Sequence, residues 1–106
     1  MTAVTLVDIG ANLAHDSFDA DRTAVLERAR AAGVAAMIVT GSSLDDTEKA
    51  LALARRHRQV LRATAGVHPH HAAKLPDIDA GRLEALLADP FVVAAGECGL
   101  DYFRNF

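Results

Sequence analysis

The 106-residue sequence contains a single cysteine, Cys98, and no tryptophan. One cysteine excludes an internal disulfide and is typical of proteins from reducing compartments. No apolar run approaches the roughly 20 residues that cross a bilayer. The first seven residues also lack the basic start and the long apolar core of a secretory signal. These absences predict a cytoplasmic protein without a membrane span.

The sequence also lacks a large excess of either charge, with 11 basic and 14 acidic side chains and a net charge of −3. This mildly acidic balance argues against a broad basic surface for gripping nucleic acid. It does not exclude a metal site that handles phosphates locally. Hydrophobic residues make up 51% of the sequence, which together with the length fits one globular domain.

Four short apolar stretches are expected to form buried strands, at residues 4–9, 34–40, 60–67 and 91–96. The second and fourth are nearly continuous apolar runs, which is typical of parallel strands covered on both faces. The strand starts lie 26 to 31 residues apart. An eight-unit barrel of about 250 residues averages roughly 31 residues per unit. The spacing therefore predicts an α/β fold of parallel (β/α) repeats that forms part of a barrel.

Three stretches with helical spacing separate these strands. Gly33 follows the first at a position suited to a left-handed residue, Ser43 is expected to cap the second, and Pro90 ends the third. The first helix is expected to begin at residue 19 or 21 and to end at 32. The second is expected to run from 43 to the arginines at 55, 56 and 58. The third is expected to begin at 77 or 79 and to end at 89. The residues expected to face inward are Val25, Leu26 and Ala29, then Leu44, Thr47, Leu51 and Ala54, then Leu83, Leu86 and Leu87.

Polar side chains cluster in the segments that follow the predicted strands. In parallel α/β folds these segments meet at one edge of the sheet, where ligands bind. His15 and His57 are expected away from strand ends. The side chains expected at the shared edge are Asn12, His68, His70, His71, Glu97, Cys98 and Asp101.

Glu97 directly follows an apolar run, so a stiff strand end would carry its carboxylate to the barrel mouth. There it could bind a divalent metal or act as a base; alternatively it caps a helix or pairs with a surface arginine. His68 and His70 flank a proline and could bind a metal or donate to phosphate oxygens, or could simply lie in an exposed turn. His71 is expected to face solvent. Asp101 could orient a histidine, bind substrate or cap the next element.

Two other features have competing interpretations. Cys98 and His68 could form a nucleophilic pair, but a free cysteine is more often buried in the core, and burial is the expectation here. The arginines at 55, 56 and 58 suggest a nucleic-acid contact. Because they end a helix, a solvated face that complements the helix dipole is expected instead.

Four segments have a distinctive sequence: DIGANL at 8–13, IVTG at 38–41, AGVHPH at 65–70 and GECGLD at 96–101, which continues to RNF at 104–106. In order and spacing they closely resemble the amino-terminal part of the TatD family of metal-dependent deoxyribonucleases. The likeness covers essentially the whole chain. The combination of GxHPH with GExGLD is highly specific.

The resemblance implies the amino-terminal half of a TIM-barrel metallo-dependent hydrolase, with four strands and three helices. Residues 1–106 would belong to one domain whose carboxyl-terminal half is absent. It also implies cleavage of phosphodiester bonds in DNA from a 3′ end, on single-stranded DNA or 3′ ends. The expected cofactor is a divalent metal ion, Mg²⁺ first, with Zn²⁺ or Mn²⁺ as alternatives. The implied metal ligand is Glu97, and the implied substrate contacts are His68, His70, Asn12 and Asp101.

This sequence departs from the family pattern at one motif. Many relatives carry an H-x-H pair after strand one, where this chain has Gly10 and Asn12, and neither replaces an imidazole ligand. We therefore expect one metal, or weak occupancy of a second site. The family's other ligands, two histidines and a catalytic aspartate, come from later strands, so no catalytic set is complete here. The chain alone is expected to be inactive and to self-associate, and the full-length form to be an active monomer.

Two alternative functions stay open at this stage. Barrels of this type host many hydrolytic reactions, so a metal-dependent hydrolase with another substrate is one of them. A non-catalytic truncated interaction module is the other.

Overall fold

The computed structural model describes residues 4–74 and 80–104, in which strands and helices alternate. The strands are β1 (Leu6–Ala11), β2 (Val34–Val39), β3 (Leu61–Ala65) and β4 (Val92–Ala95). The α-helices are α1 (Arg22–Ala31), α2 (Leu44–Arg56) and α3 (Ala80–Leu87). Short 3₁₀ turns occupy Asp16–Phe18 and Pro69–Lys74. Within the described residues, no helix has the length and apolar character needed to cross a membrane.

The four strands form one parallel sheet in the order β1-β2-β3-β4, with a helix in each connection. This confirms the predicted α/β class with four strands and three helices. β1 lies two residues later than predicted because its partner sets its bounds: Leu6 pairs with Val34, and Ala11 pairs with Val39. β3 ends at Ala65, earlier than predicted, because the N–H of Gly66 turns toward a threonine hydroxyl instead of a strand.

The helix ends follow from local hydrogen bonding. Ser43 caps α2 as predicted, since its Oγ accepts the backbone N–H of Asp46 at 3.0 Å. α1 begins at Arg22, and Asp21 makes no side-chain capping bond. Gly33 has a positive φ of 102°, as its predicted left-handed role requires. α3 ends at Leu87; its predicted start at residue 77 or 79 lies outside the described residues.

The hydrophobic core lies between the sheet and the first two helices. Leu26 of α1 and Leu53 of α2 pack with Val39 of β2 and with Leu61 and Ala63 of β3. All four residues predicted to face inward from α2 are buried: Leu44, Thr47, Leu51 and Ala54. By contrast, α3 has no buried residue, so Leu83, Leu86 and Leu87 are only partly covered. The core is therefore centred on β2, β3 and α2.

A cluster of arginines surrounds Phe91 at the amino-terminal edge of the sheet. The guanidinium carbons of Arg55, Arg58 and Arg62 lie 5.4, 5.6 and 4.7 Å from the centre of its ring. Such contacts are favourable because the ring face is electron-rich. Arg55 also pairs with Asp89. These arginines pack against the protein itself, at the edge opposite the carboxyl ends of the strands.

The two outer strands expose apolar side chains. Ile9 of β1 is 78% exposed and Val93 of β4 is 51% exposed. Exposed apolar side chains on unpaired strand edges promote association. We expect the 106-residue chain to self-associate, and the double change Ile9→Lys and Val93→Lys to increase the monomer fraction measured by sedimentation velocity. Glu27→Lys, at an exposed polar position of α1, is the matched control. A monomeric wild-type chain at micromolar concentration would contradict this expectation.

Candidate active site

A cavity of about 530 Å³ opens at the carboxyl edge of the sheet. Four of the side chains predicted for a site line it: Asn12, His68, His70 and Glu97. Asp101, the fifth, contacts the cavity indirectly, because it pairs with His70. The structure therefore brings the predicted residues together, although they come from segments that follow three different strands.

Backbone hydrogen bonds hold the strand ends around the cavity. The N–H of Glu97, after β4, donates to the carbonyl of Gly41, after β2, at 2.9 Å. The N–H of His68 donates to the carbonyl of Ser42 at 2.8 Å. The segment after β4 thus crosses over the end of β3, and the peptide bond between Gly96 and Glu97 is cis. Glu97 and His68 are both anchored to the loop that follows β2.

Two glycines make this crossing possible. A Cβ at Gly66 would overlap the backbone of Gly96 and the carbonyl oxygen of Glu97. A Cβ at Gly41 would overlap the Thr47 hydroxyl and the Thr64 carbonyl oxygen. These positions require glycine because backbone lies against backbone. The glycines of the AGVHPH and IVTG segments therefore have a steric role at the site.

Buried threonines complete the support beneath the cavity. The N–H of Gly41 donates to Oγ1 of Thr64 at 3.0 Å, and the N–H of Gly66 donates to Oγ1 of Thr47 at 3.4 Å. Thr47 is fully buried on the inner face of α2, and its hydroxyl also donates to the Ser43 carbonyl at 2.7 Å. A backbone N–H buried without a partner costs free energy, so these hydroxyls stabilise the loops.

Two histidine–carboxylate pairs lie side by side at the site. Nε2 of His68 is 3.2 Å from Oε1 of Glu97, and Nε2 of His70 is 2.5 Å from Oδ2 of Asp101. The two imidazole rings pack edge to face with their centres 4.3 Å apart. The side-chain partner of Glu97 among the described residues is therefore a histidine, not a surface arginine. The Glu97 side chain is 47% exposed, so it also faces the open cavity.

Backbone donors hold the Asp101 carboxylate in its ionised form. The N–H of Arg104 has the largest effect on its pKa, followed by the His70 side chain and the N–H of Phe103. Together they lower the pKa of Asp101 from 3.8 to about 2. Hydrogen bonds to the charged form stabilise that form, which explains the direction.

The described residues supply only part of a metal site. Among residues 4–74 and 80–104, no group of three or more His, Cys, Asp or Glu side chains is arranged to hold a metal ion. Catalytic metal sites need about three protein ligands and an open position. The Glu97 carboxylate and the neighbouring His68 imidazole could supply part of such a ligand set, but not all of it.

The cavity is also lined by residues outside the predicted set of ligands and substrate contacts. His15, expected away from strand ends, and His71, expected to face solvent, both line this open cavity. His15 reaches it because the segment after β1 folds into a 3₁₀ turn, where Arg22 binds the Leu13 and His15 carbonyls at 2.8 and 2.9 Å. Lys49, on the second turn of α2, also lines the cavity. Helical spacing alone does not show which segment this side chain faces.

Cys98 is exposed, so its predicted burial in the core is wrong. The segment after β4 turns outward at this point, where Leu100 is 77% exposed. Since His68 is engaged with Glu97, the described contacts give no support to a Cys98–His68 nucleophilic pair.

Parallel strand–helix repeats with acids and histidines at the carboxyl edge of the sheet are the arrangement of a TIM-barrel fold. Two solved structures share the fold. A hydrolase of the TatD family from Entamoeba histolytica has a TM-score of 0.80 and 32% identity over 96% of this chain and 40% of its own. YjjV, a TatD homologue from Escherichia coli K12, has a TM-score of 0.84 and 33% identity over 94% and 39%.

Sequence comparisons identify the family. The family model described as TatD related DNase matches residues 7–106, so the chain belongs to this family. A protein of Cronobacter turicensis, named 3′-5′ ssDNA/RNA exonuclease TatD, is 52% identical over 101 residues, which are 95% of this chain and 38% of that protein. The protein of the same name from Erwinia amylovora is 48% identical over 95% and 39%. The chain thus spans less than half the length of these relatives.

The crossing at Gly66 generates a stability prediction. Gly66→Ala is expected to destabilise the chain by about 1–3 kcal/mol because the added methyl group forces backbone segments apart. Gly81→Ala is the matched control, since a Cβ there meets nothing within 4 Å and alanine favours the helix. Urea unfolding of both variants measures the difference. Equal stability of the two would contradict the steric role of Gly66.

The lowered pKa of Asp101 predicts a pH dependence with a definite sign. Because the folded pKa lies below 3.8, the stabilisation is present above pH 3.8 and is lost as the pH falls through about 2. Carbon-13 NMR of the carboxyl group should give a midpoint near pH 2. His70→Ala should raise that midpoint only part of the way to 3.8, because the backbone donors remain. A wild-type midpoint near 3.8 would contradict the assigned contacts.

Proposed function

We propose that this chain supplies the first four strand ends of the active site of a metal-dependent 3′–5′ exonuclease acting on single-stranded DNA or RNA. The observation that carries the proposal is the His68–Glu97 pair, 3.2 Å apart, at the mouth of a polar cavity. Support also comes from the family, whose relatives bear the name 3′-5′ ssDNA/RNA exonuclease. The compartment, as expected from the sequence, is the cytoplasm.

The charge of the cavity supports a requirement for a cation. Three carboxylates line it, from Asp16, Asp46 and Glu97, and Lys49 is already 3.4 Å from Asp16. A polyanionic substrate would be repelled by this lining unless positive charge entered with it. A divalent metal ion would supply that charge, and with it polarisation of a phosphoryl oxygen and activation of water. Mg²⁺ is our first candidate, with Zn²⁺ and Mn²⁺ as alternatives.

Glu97 is the proposed metal ligand of this chain. Its backbone N–H is fixed to Gly41, while its half-exposed carboxylate faces the cavity. The rigid backbone holds the carboxylate in place before any ligand binds, which reduces the entropy lost on binding. The rest of the ligand set would come from the part of the relatives' length that this chain does not span.

His68 is the proposed hydrogen-bond donor to the substrate phosphate. Its Nδ1 accepts the backbone N–H of His70 at 3.0 Å, so in the neutral ring the hydrogen is on Nε2, the nitrogen that faces Glu97. A donor at this position can bind a phosphate oxygen and stabilise the charge that develops there. His70 and Asn12 line the same cavity and are the proposed neighbouring substrate contacts.

The proposal is testable in a chimera in which residues 7–106 replace the matching part of the Cronobacter turicensis relative. The chimera should degrade single-stranded DNA from the 3′ end with added Mg²⁺, and chelation should abolish this activity. Glu97→Gln should lower kcat/KM at least about 100-fold, because a ligand is lost. The 106-residue chain alone should be inactive.

Asp45→Asn is the control for this experiment. Asp45 pairs with Arg82 on the outer surface, so its loss should leave the activity unchanged. Full activity of the Glu97→Gln chimera, or activity that resists chelation, would contradict the proposed function.

A further inference from the structure

Both oxygens of the Asp101 carboxylate are occupied by donors from the protein itself. Oδ1 accepts the backbone N–H groups of Phe103 and Arg104 at 2.8 and 3.0 Å, and Oδ2 contacts Nε2 of His70 at 2.5 Å. A phosphate that approached this carboxylate would meet a like charge and would have to displace one of these donors. Of the three roles that the sequence left open for Asp101, these contacts favour orienting a histidine over binding substrate.

The contact with His70 specifies which ring nitrogen carries the hydrogen. An ionised carboxylate only accepts hydrogen bonds, so Nε2 of His70 is the donor. The lowered pKa of Asp101, about 2, keeps the carboxylate ionised at neutral pH. In the neutral imidazole the hydrogen is then on Nε2 and not on Nδ1.

His70 in turn specifies the state of His68. The backbone N–H of His70 donates to Nδ1 of His68 at 3.0 Å, which leaves Nε2 of His68 to carry the hydrogen toward Glu97. The two rings also pack against each other with their centres 4.3 Å apart. A continuous series of contacts therefore runs from Asp101 through both histidines to Glu97.

We infer that Asp101 is a positioning residue. It holds the His70 ring in one tautomer and, through the His70 backbone, keeps His68 facing Glu97. The orientation of the two rings is a property of this chain, whereas its effect on phosphodiester cleavage rests on the proposed function. The two parts are therefore tested by separate measurements.

The first measurement uses nitrogen-15 NMR of the histidine side chains in the 106-residue chain, at a mildly alkaline pH where a free imidazole is neutral. Wild-type His70 should carry its hydrogen on Nε2. In Asp101→Asn the single amide oxygen should stay with the two backbone N–H groups, so the NH₂ group faces His70. The ring must then accept there, and its hydrogen should move to Nδ1.

Asp89→Asn is the matched control for this change. Asp89 also uses both oxygens, one for the backbone N–H of Phe91 at 2.9 Å and one for Arg55, but at the opposite edge of the sheet. It should leave both histidine tautomers unchanged. If Asp101→Asn does not fold, the wild-type spectrum still decides, since a hydrogen on Nδ1 of His70 would overturn the inference.

The second measurement uses the chimera. Asp101→Asn should lower kcat about 10- to 100-fold while KM stays within about twofold, because the substrate contacts remain and only their alignment is lost. A raised KM with unchanged kcat would show that Asp101 touches the substrate and would overturn the inference. An unchanged His70 tautomer would do the same. An inactive wild-type chimera would count against the proposed function alone, because the NMR result stands without it.

Discussion

The candidate site depends on one close contact between backbone segments. The chain after β4 crosses over Gly66 so that the N–H of Glu97 reaches the carbonyl of Gly41, 2.9 Å away. This contact joins the ends of three strands, and it leaves no space for a side chain beneath it. The position of the Glu97 carboxylate, and of His68 beside it, follows from this steric fit more than from any pairing between side chains.

Side-chain electrostatics then act on an arrangement that the backbone has already set. The acids in and beside the cavity have different partners: Asp16 contacts Lys49, Asp46 accepts a hydrogen bond from Ser42, Asp101 contacts His70, and the half-exposed Glu97 contacts His68. A carboxylate that keeps solvent access has an oxygen available for a further contact, whereas both oxygens of Asp101 already accept from protein donors. Acidic side chains around one site therefore differ in the contacts that they can still make.

Much of this arrangement could be predicted from the sequence, because it depends on local patterns. Apolar runs located all four strands within two residues, and the shared edge of a parallel sheet explained why Glu97 and His68 meet. The particular partners at that edge could not be predicted. Asp101 was expected to orient a histidine, bind substrate or cap the next element, and only the fold shows that it contacts His70, 31 residues away. His15 enters the cavity only through a 3₁₀ turn held by Arg22. The exposure of Cys98 depends on how the chain turns after β4, which no periodicity reports.

The arginines around Phe91 lie at the opposite edge of the sheet from the cavity. The packing contacts around Phe91 and the candidate site are thus at opposite ends of the same short strands. Around the cavity, an exposed loop side chain can be exchanged without moving the core, whereas a side chain at Gly41 or Gly66 would have to displace backbone. Tolerance to mutation at the candidate site is therefore expected to be lowest at two positions that carry no side chain at all.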